Sequence, residues 1–165
     1  PNTGLVRWDV PIGSSRGTNE IERLMDVVGT AYRQGQMLCV RAFQSSVACL
    51  DTQKAVALWS RAAQGFSGLS GDGENVQAWA RISGVPVWTQ DALRHRGVTA
   101  PAVHGPALVA GDAQGYVHFM SRENGRFLQR LSTDATPVNS APVVAGQTLV
   151  IVNKSGLVTG LRLSR

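Results

Sequence analysis

The 165-residue sequence predicts an all-β protein assembled from repeated four-stranded antiparallel meanders. Three observations carry that prediction. One unit recurs at a step of about 41 residues, a length typical of sheet modules arranged around an axis. Helical periodicity is hard to find at any length, whereas short apolar runs bounded by Gly and polar residues are frequent. Finally, a short polar stretch ending in Gly returns as Asp112-Ala113-Gln114-Gly115 and Asn153-Lys154-Ser155-Gly156. That is the signature of a three-residue hairpin loop closed by a Gly bulge. The clearest copy of the unit spans Gly105 to Gln129. One step forward, Gly105 falls on Gly146, Val117 on Val158, Met120 on Leu161 and Pro101 on Pro142; one step back, Gln129 falls on Trp88 and Gly125 on Gly84. A shift of roughly 70 residues brings Gly105 to Gly35, Val117 to Val47 and Leu128 to Leu58. Such modules cannot bury their faces alone and stack on their neighbours, so the expected architecture is a set of β-propeller blades.

Composition narrows the function classes. The chain is Gly-rich, 16% charged and without a long apolar run, which excludes a transmembrane helix and argues against disorder. A net charge of +5 raises nucleic acid as a partner. Arg and Lys are scattered and not interleaved with aromatics, so no nucleic-acid interface is expected. The chain opens in mid-pattern at Pro1-Asn2-Thr3-Gly4, with neither signal peptide nor lipidation Cys. It reads as a piece of something longer.

Residues 1–10 read as the outer strand of a preceding blade, with a turn Gly four residues before Trp8. The same spacing recurs as Gly84 to Trp88 and, with Gly replaced, as Ala55 to Trp59; the next copy has Gln129 at the indole position. A large indole at a fixed place on an outer strand fills space between neighbouring sheets while its N–H reaches a loop carbonyl. Pro11 to Glu20 is a polar, Gly/Ser-rich insertion suited to a surface loop. The first full blade covers 24–61: Met37 to Phe43 and Val47 to Asp51 are strands around a turn at Gln44-Ser45-Ser46, and Val56 to Arg61 is the outer strand. A second blade, 66–90, falls about nine residues short of the repeat near Asn75/Val76. Either it lacks a strand or a segment is missing there; the second is the expected case, since a missing central strand leaves backbone donors and acceptors unpaired. The third blade covers 98–131. The fourth, 139–165, holds three strands, the first at Ala141 to Ala145, and its partner strand would have to come from an upstream part.

The pattern Leu50-Asp51-Thr52, Ala55, Leu58-Trp59 resembles the repeat of eight-bladed quinoprotein propellers. Several runs go further and resemble the C-terminal half of the BamB family of outer-membrane assembly lipoproteins. They are Glu20 to Val27, Val87-Trp88-Thr89-Gln90 with His95-Arg96, Gly111 to His118, and Glu123-Asn124-Gly125-Arg126-Phe127. The resemblance implies about half of an eight-bladed ring, acting in the periplasm as a non-catalytic scaffold of the β-barrel assembly machinery. It implies binding to the POTRA region of the barrel insertase, contact with unfolded outer-membrane protein clients, and attachment to the membrane only through an N-terminal lipid outside this chain. The family's partner-binding loop carries an Asp-x-Asp pair after an acidic-Arg-Leu run. Here that reads Arg23-Leu24-Met25-Asp26-Val27-Val28, so Asp26 matches the first acid and Val28 departs from the second. Arg23, Leu24 and Asp26 are therefore the expected partner-binding residues. The bland alternative is that Arg23 and Asp26 pair with each other or cap a turn.

A quinoprotein dehydrogenase is the competing reading, and it needs clustered oxygen ligands for Ca²⁺ at the centre of the ring. Asp26, Asp51, Asp72, Asp91, Asp112 and Asp134 sit mostly at turns, where a carboxylate bonds its own backbone. His95, His104 and His118 share no metal-ligand spacing. No cofactor, metal or catalytic residue is expected. A three-residue loop after Ala42 would set Cys39 opposite Cys49, leaving a disulfide, which a periplasmic location permits, or two buried thiols. A two-residue turn would place them on opposite faces.

Overall fold

A computed structural model describes residues 4–12, 26–43, 45–63 and 76–162. Its strands form four separate antiparallel sheets that follow one another along the chain. The first contains β1 (Tyr32–Gln34), β2 (Met37–Ala42), β3 (Ser46–Asp51) and β4 (Val56–Ala62), paired in that order. The second pairs β5 (Val76–Trp79) with β6 (Pro86–Gln90). The third contains β7 (Ala102–His104), β8 (Ala107–Gly111), β9 (Tyr116–Ser121) and β10 (Phe127–Ser132), and the fourth β11 (Val143–Ala145), β12 (Thr148–Val152) and β13 (Val158–Arg162). The first and third are the expected four-stranded meanders; among the described residues the second sheet has two strands and the fourth three.

Turn chemistry sets the registers. Gly35, Gly105 and Gly146 open two-residue hairpins at φ near +60°, closing the pairs Gln34↔Met37, His104↔Ala107 and Ala145↔Thr148. Glycine at the first central position suits a loop whose twist matches the flanking strands. The next hairpin is the longer one. Asp112 and Tyr116 close around Ala113-Gln114-Gly115, with the Asp112 N–H donating to the Tyr116 carbonyl at 2.9 Å and Gly115 at φ +81°. Asn153 to Leu157 repeats it, with Gly156 at +86°. In the first sheet the strand ends at Ala42, one residue earlier than expected, and Ala42 faces Ser46 across a three-residue loop. Cys39 is consequently opposite Cys49, and the two are joined as a disulfide with a Cα–Cα distance of 4.0 Å. The first strand of the fourth sheet begins at Val143, two residues later than expected.

The core lies between sheets. Ala107, Val109, Val117 and Phe119 of the third sheet pack on Leu149 and Ile151 of the fourth, through Val138 of the linker. On the opposite face Ala110 and Met120 pack on Leu93 and Val98, with Trp88 of the second sheet against them. A third cluster joins Cys39, Val47, Cys49, Trp59 and Ala63 to Trp79. Strands β2, β3, β8 and β9 are thus covered on both faces, which is why they read as nearly continuous apolar runs and not as alternating ones.

The first and second blades also lock onto the turn of the next. The Trp59 indole N–H donates to the Arg81 carbonyl at 2.7 Å, and its ring lies on Gly84, where a Cβ would come within 2.6 Å of it. Two residues on, Arg61 Nε donates to the Gly84 carbonyl at 3.1 Å. Trp88 repeats the arrangement: its N–H donates to the Arg122 carbonyl at 3.0 Å and its ring lies on Gly125, while Gln90 Nε2 donates to the Gly125 carbonyl at 2.8 Å. The expected partnership between indole and loop carbonyl is present at both positions.

Candidate functional site

The meanders give every blade two distinct ends. At one, the first and third turns of a blade meet, as where the Arg122 N–H donates to the Pro106 carbonyl and the Thr52 N–H to that of Gln36. At the other, the middle hairpin meets the linker that enters the blade: Ala113 N–H donates to the Arg96 carbonyl, Lys154 N–H to that of Pro137, and Phe43 N–H to that of Asp26. Asp26 therefore sits at the hairpin-and-linker end. Its carbonyl is anchored to Phe43 at 2.7 Å, the Val28 N–H donates to the Arg41 carbonyl at 2.9 Å, and Val27 bridges Ala42. Backbone pairing on a buried strand fixes this short segment and leaves the Asp26 side chain exposed. Val28, in the place of a second acid, is half-buried. Arg23 and Leu24 lie outside the described residues.

In the third blade the same end holds a charged cluster that the sequence did not reveal. Asp112 is fully buried. Its Oδ1 accepts the Gln114 and Tyr116 N–H groups at 2.9 Å each, and its Oδ2 accepts Arg96 Nε at 2.6 Å and meets His118 Nε2 at 2.8 Å. Burial alone would raise the Asp112 pKa. The bonds from His118, the Tyr116 N–H, Arg96 and the Gln114 N–H together outweigh it and hold the carboxyl below its ordinary value. For His118 burial prevails over the attraction of Asp112, and its pKa is lowered. The Arg96 and Arg130 guanidinium groups lie 5.3 and 4.7 Å from the centre of the Tyr116 ring, within cation–π range. Asp112 thus does the turn work expected of it and also fastens the entering linker. His118 lies within a strand buried on both faces, and a buried ring nitrogen calls for a partner. That was the signal available in the sequence.

The other titratable residues take structural places. Asp51 Oδ1 accepts the Gln53 and Lys54 N–H groups, and Asp134 Oδ1 accepts the Thr136 N–H. Both carboxyls are held below their ordinary range, Asp51 chiefly by the Lys54 N–H and Asp134 by the Thr136 and Ser155 hydroxyls. His95 is exposed in the linker at φ +61°, and His104 is buried at the end of β7. Among the described residues no three His, Cys, Asp or Glu side chains converge as a metal site.

The chain matches the protein family described as outer membrane protein assembly factor BamB over residues 1–90 and 75–164. It is 36% identical over 169 aligned residues to the assembly factor BamB of Burkholderia pseudomallei, covering 97% of this chain and 44% of that protein. The chain therefore spans less than half the length of the relative it matches. The crystal structure of BamB from Moraxella catarrhalis superposes with a TM-score of 0.82 at 23% identity, over 92% of this chain and 48% of that one. The quinohemoprotein alcohol dehydrogenase of Comamonas testosteroni superposes at 0.65 with 14% identity, over 88% and 30%. At these identities the two superpositions speak for the shared propeller fold.

Proposed function

This chain belongs to the family of the outer-membrane protein assembly factor BamB, and we propose on that premise that it is a non-catalytic scaffold of the β-barrel assembly machinery. It works in the periplasm at the outer membrane, tethered by a lipid on a part of the protein outside these residues. It binds the POTRA region of the barrel insertase and aids folding and insertion of outer-membrane proteins. The observation that carries this reading is the family match along the whole chain. The structure supplies a physical basis for it: backbone-anchored loops at one end of stacked, interlocked sheets hold exposed side chains such as Asp26 at fixed positions. Loops on a rigid support are where propellers engage partners.

Asp26, with Arg23 and Leu24 just upstream, forms the insertase contact, and the single carboxylate faces a basic patch on the partner. The half-buried Val28 offers no second charge. The test is capture of the insertase's POTRA region by the protein and by its Arg23→Ala and Asp26→Ala variants. Both substitutions weaken capture and leave the urea midpoint unchanged. Undiminished capture by both variants removes these residues from the interface.

A further inference from the structure

We propose that the end of the blades opposite Asp26 binds an acidic segment of another polypeptide, holding its carboxylates with arginines set on successive turns. The fold gathers there cations that are scattered in the sequence. Arg33, Lys54, Arg81, Arg122, Arg126 and Arg162 all lie at or beside the first and third turns of their blades, and all are exposed. Three are fixed by their own blades: Arg33 Nε donates to the Gly35 carbonyl, Arg122 Nη1 to that of Gly105 and Arg162 Nε to Thr148 Oγ1, each at 3.2 Å. The acids described at this end are Asp51 and Glu123, and Asp51 is engaged by the Gln53 and Lys54 N–H groups. The hairpin-and-linker end is near balance, with Asp26, Asp91, Asp112 and Asp134 beside Arg94, Arg96, Arg130 and Lys154. Among the described residues both ion pairs belong to Asp112, so none of the six cations has a carboxylate within ion-pair distance.

Residue type and spacing define the partner. All but Lys54 are arginines, whose planar guanidinium matches a carboxylate through two parallel bonds. Cations with no acid to answer them attract an anionic partner and speed its approach. They are densest on the third turns of the second and third blades. Arg81 stands on the first of these, where Arg61 of the first blade joins it at the Gly84 carbonyl, and Arg122 and Arg126 stand on the second. The separation of the two turns is fixed, because Trp88, whose ring lies on Gly125, comes four residues after Gly84, about 13 Å of strand. Large apolar side chains are exposed among the cations: Ile82 beside Arg81, and Phe127 and Leu128 beside Arg126. A plane of lipid headgroups has no such fixed repeat. An extended polypeptide has one: carboxylates four residues apart meet the two turns, and the apolar side chains between them meet Ile82 and Phe127. This goes beyond the scaffold reading, since it uses the opposite end of the blades from Asp26 and an acidic partner in place of a basic one.

The probe is a labelled peptide of Val, Leu, Ser and Thr with two glutamates four residues apart, titrated into the intact protein while anisotropy is followed. Saturable binding is expected, weakening as salt is raised. The same peptide with glutamine for glutamate binds at least about tenfold more weakly. Arg81→Glu and Arg126→Glu each weaken binding about tenfold or more, whereas Lys154→Glu, the same change of charge at the other end, leaves it unaltered. Urea midpoints equal to that of the parent show that a loss of binding is not a loss of fold. Absent saturation, equal binding of the glutamine peptide, or an equal loss from Lys154→Glu overturns the proposal. Vesicles containing anionic phospholipid are the remaining arm: binding to them that is lost in Arg81→Glu and Arg126→Glu, and that the peptide does not displace, assigns this end to a lipid surface and also overturns it. Capture of the POTRA region depends on Asp26 and is read separately, so either proposal can fail alone.

Discussion

Replacing Gly125 by Ala tests the lock between blades most directly. Its φ of +71° disfavours any side chain, and a Cβ there would lie 2.5, 2.8 and 3.0 Å from atoms of the Trp88 ring. Gly146 is the matched control, with φ +61° and nothing within 4 Å of the added atom. The left-handed conformation alone costs about 1–2 kcal/mol, and that is the whole expected effect of Gly146→Ala. Gly125→Ala adds the displacement of a partly buried indole, about 1–3 kcal/mol for an overpacked site. Urea unfolding should therefore place it about 2 kcal/mol below the control. The contrast carries a further check. In a Trp88→Ala background the clash is gone, and Gly125→Ala costs only the backbone share, leaving a coupling energy of about 2 kcal/mol between the two sites. Equal losses for Gly125→Ala and Gly146→Ala, or a Gly125→Ala loss indifferent to Trp88, would show that the ring is not seated on that glycine.

Other measurements bear on the hairpin end and on the first sheet. Burial lowers the His118 pKa below its ordinary 6.5. Neither folded nor unfolded chain holds that proton well above 6.5, but the unfolded chain binds it first as the pH falls, so stability declines from that point until the folded pKa is reached. Asp112 acts lower: its pKa is depressed from 3.8, so its contribution is complete above that value and is lost as pH drops through the folded pKa. Urea midpoints at about pH 7.5 and pH 5 separate the two; His118→Gln flattens the change between them, and an unchanged slope refutes the assignment. The Cys39–Cys49 disulfide spans ten positions, and removing it with Cys39→Ala and Cys49→Ala costs about 2–3 kcal/mol. Mass spectrometry of the unreduced protein is expected to find no alkylatable thiol, and two labelled cysteines would contradict the bond.

Much of the architecture was legible because the repeat places its demanding residues at fixed intervals. Gly105 and Gly146 must adopt positive φ, and the Asp112 and Asn153 hairpins need their bulge glycines, so the turns could be read one by one. The Trp spacing marked where sheets abut, though it could not say which carbonyl each indole would meet. Arg81 and Arg122, three residues before the seat glycine, answer that only once neighbouring blades are side by side. The cysteines were legible only as far as the loop after Ala42, because one residue more or less reverses the faces. The charged cluster escaped notice because each member has a plausible local role: Arg96 in a linker, Asp112 in a turn, His118 in a strand. Their meeting is a product of the close fit between linker and hairpin. For the insertase contact, Asp26 alone among the expected residues falls within the described structure, and its exposure agrees with a role at a surface.

The lock between blades runs in one direction, and that bears on biosynthesis. Each indole reaches forward to a turn made later: Trp59 waits for Gly84 and Trp88 for Gly125. As the chain emerges from the ribosome, the modules that carry Trp59 and Trp88 each leave a sticky ring uncovered until the successor arrives. A stalled or clipped product therefore harms the module before the break more than any other, and its bare indole is the handle by which quality control would recognise the failure.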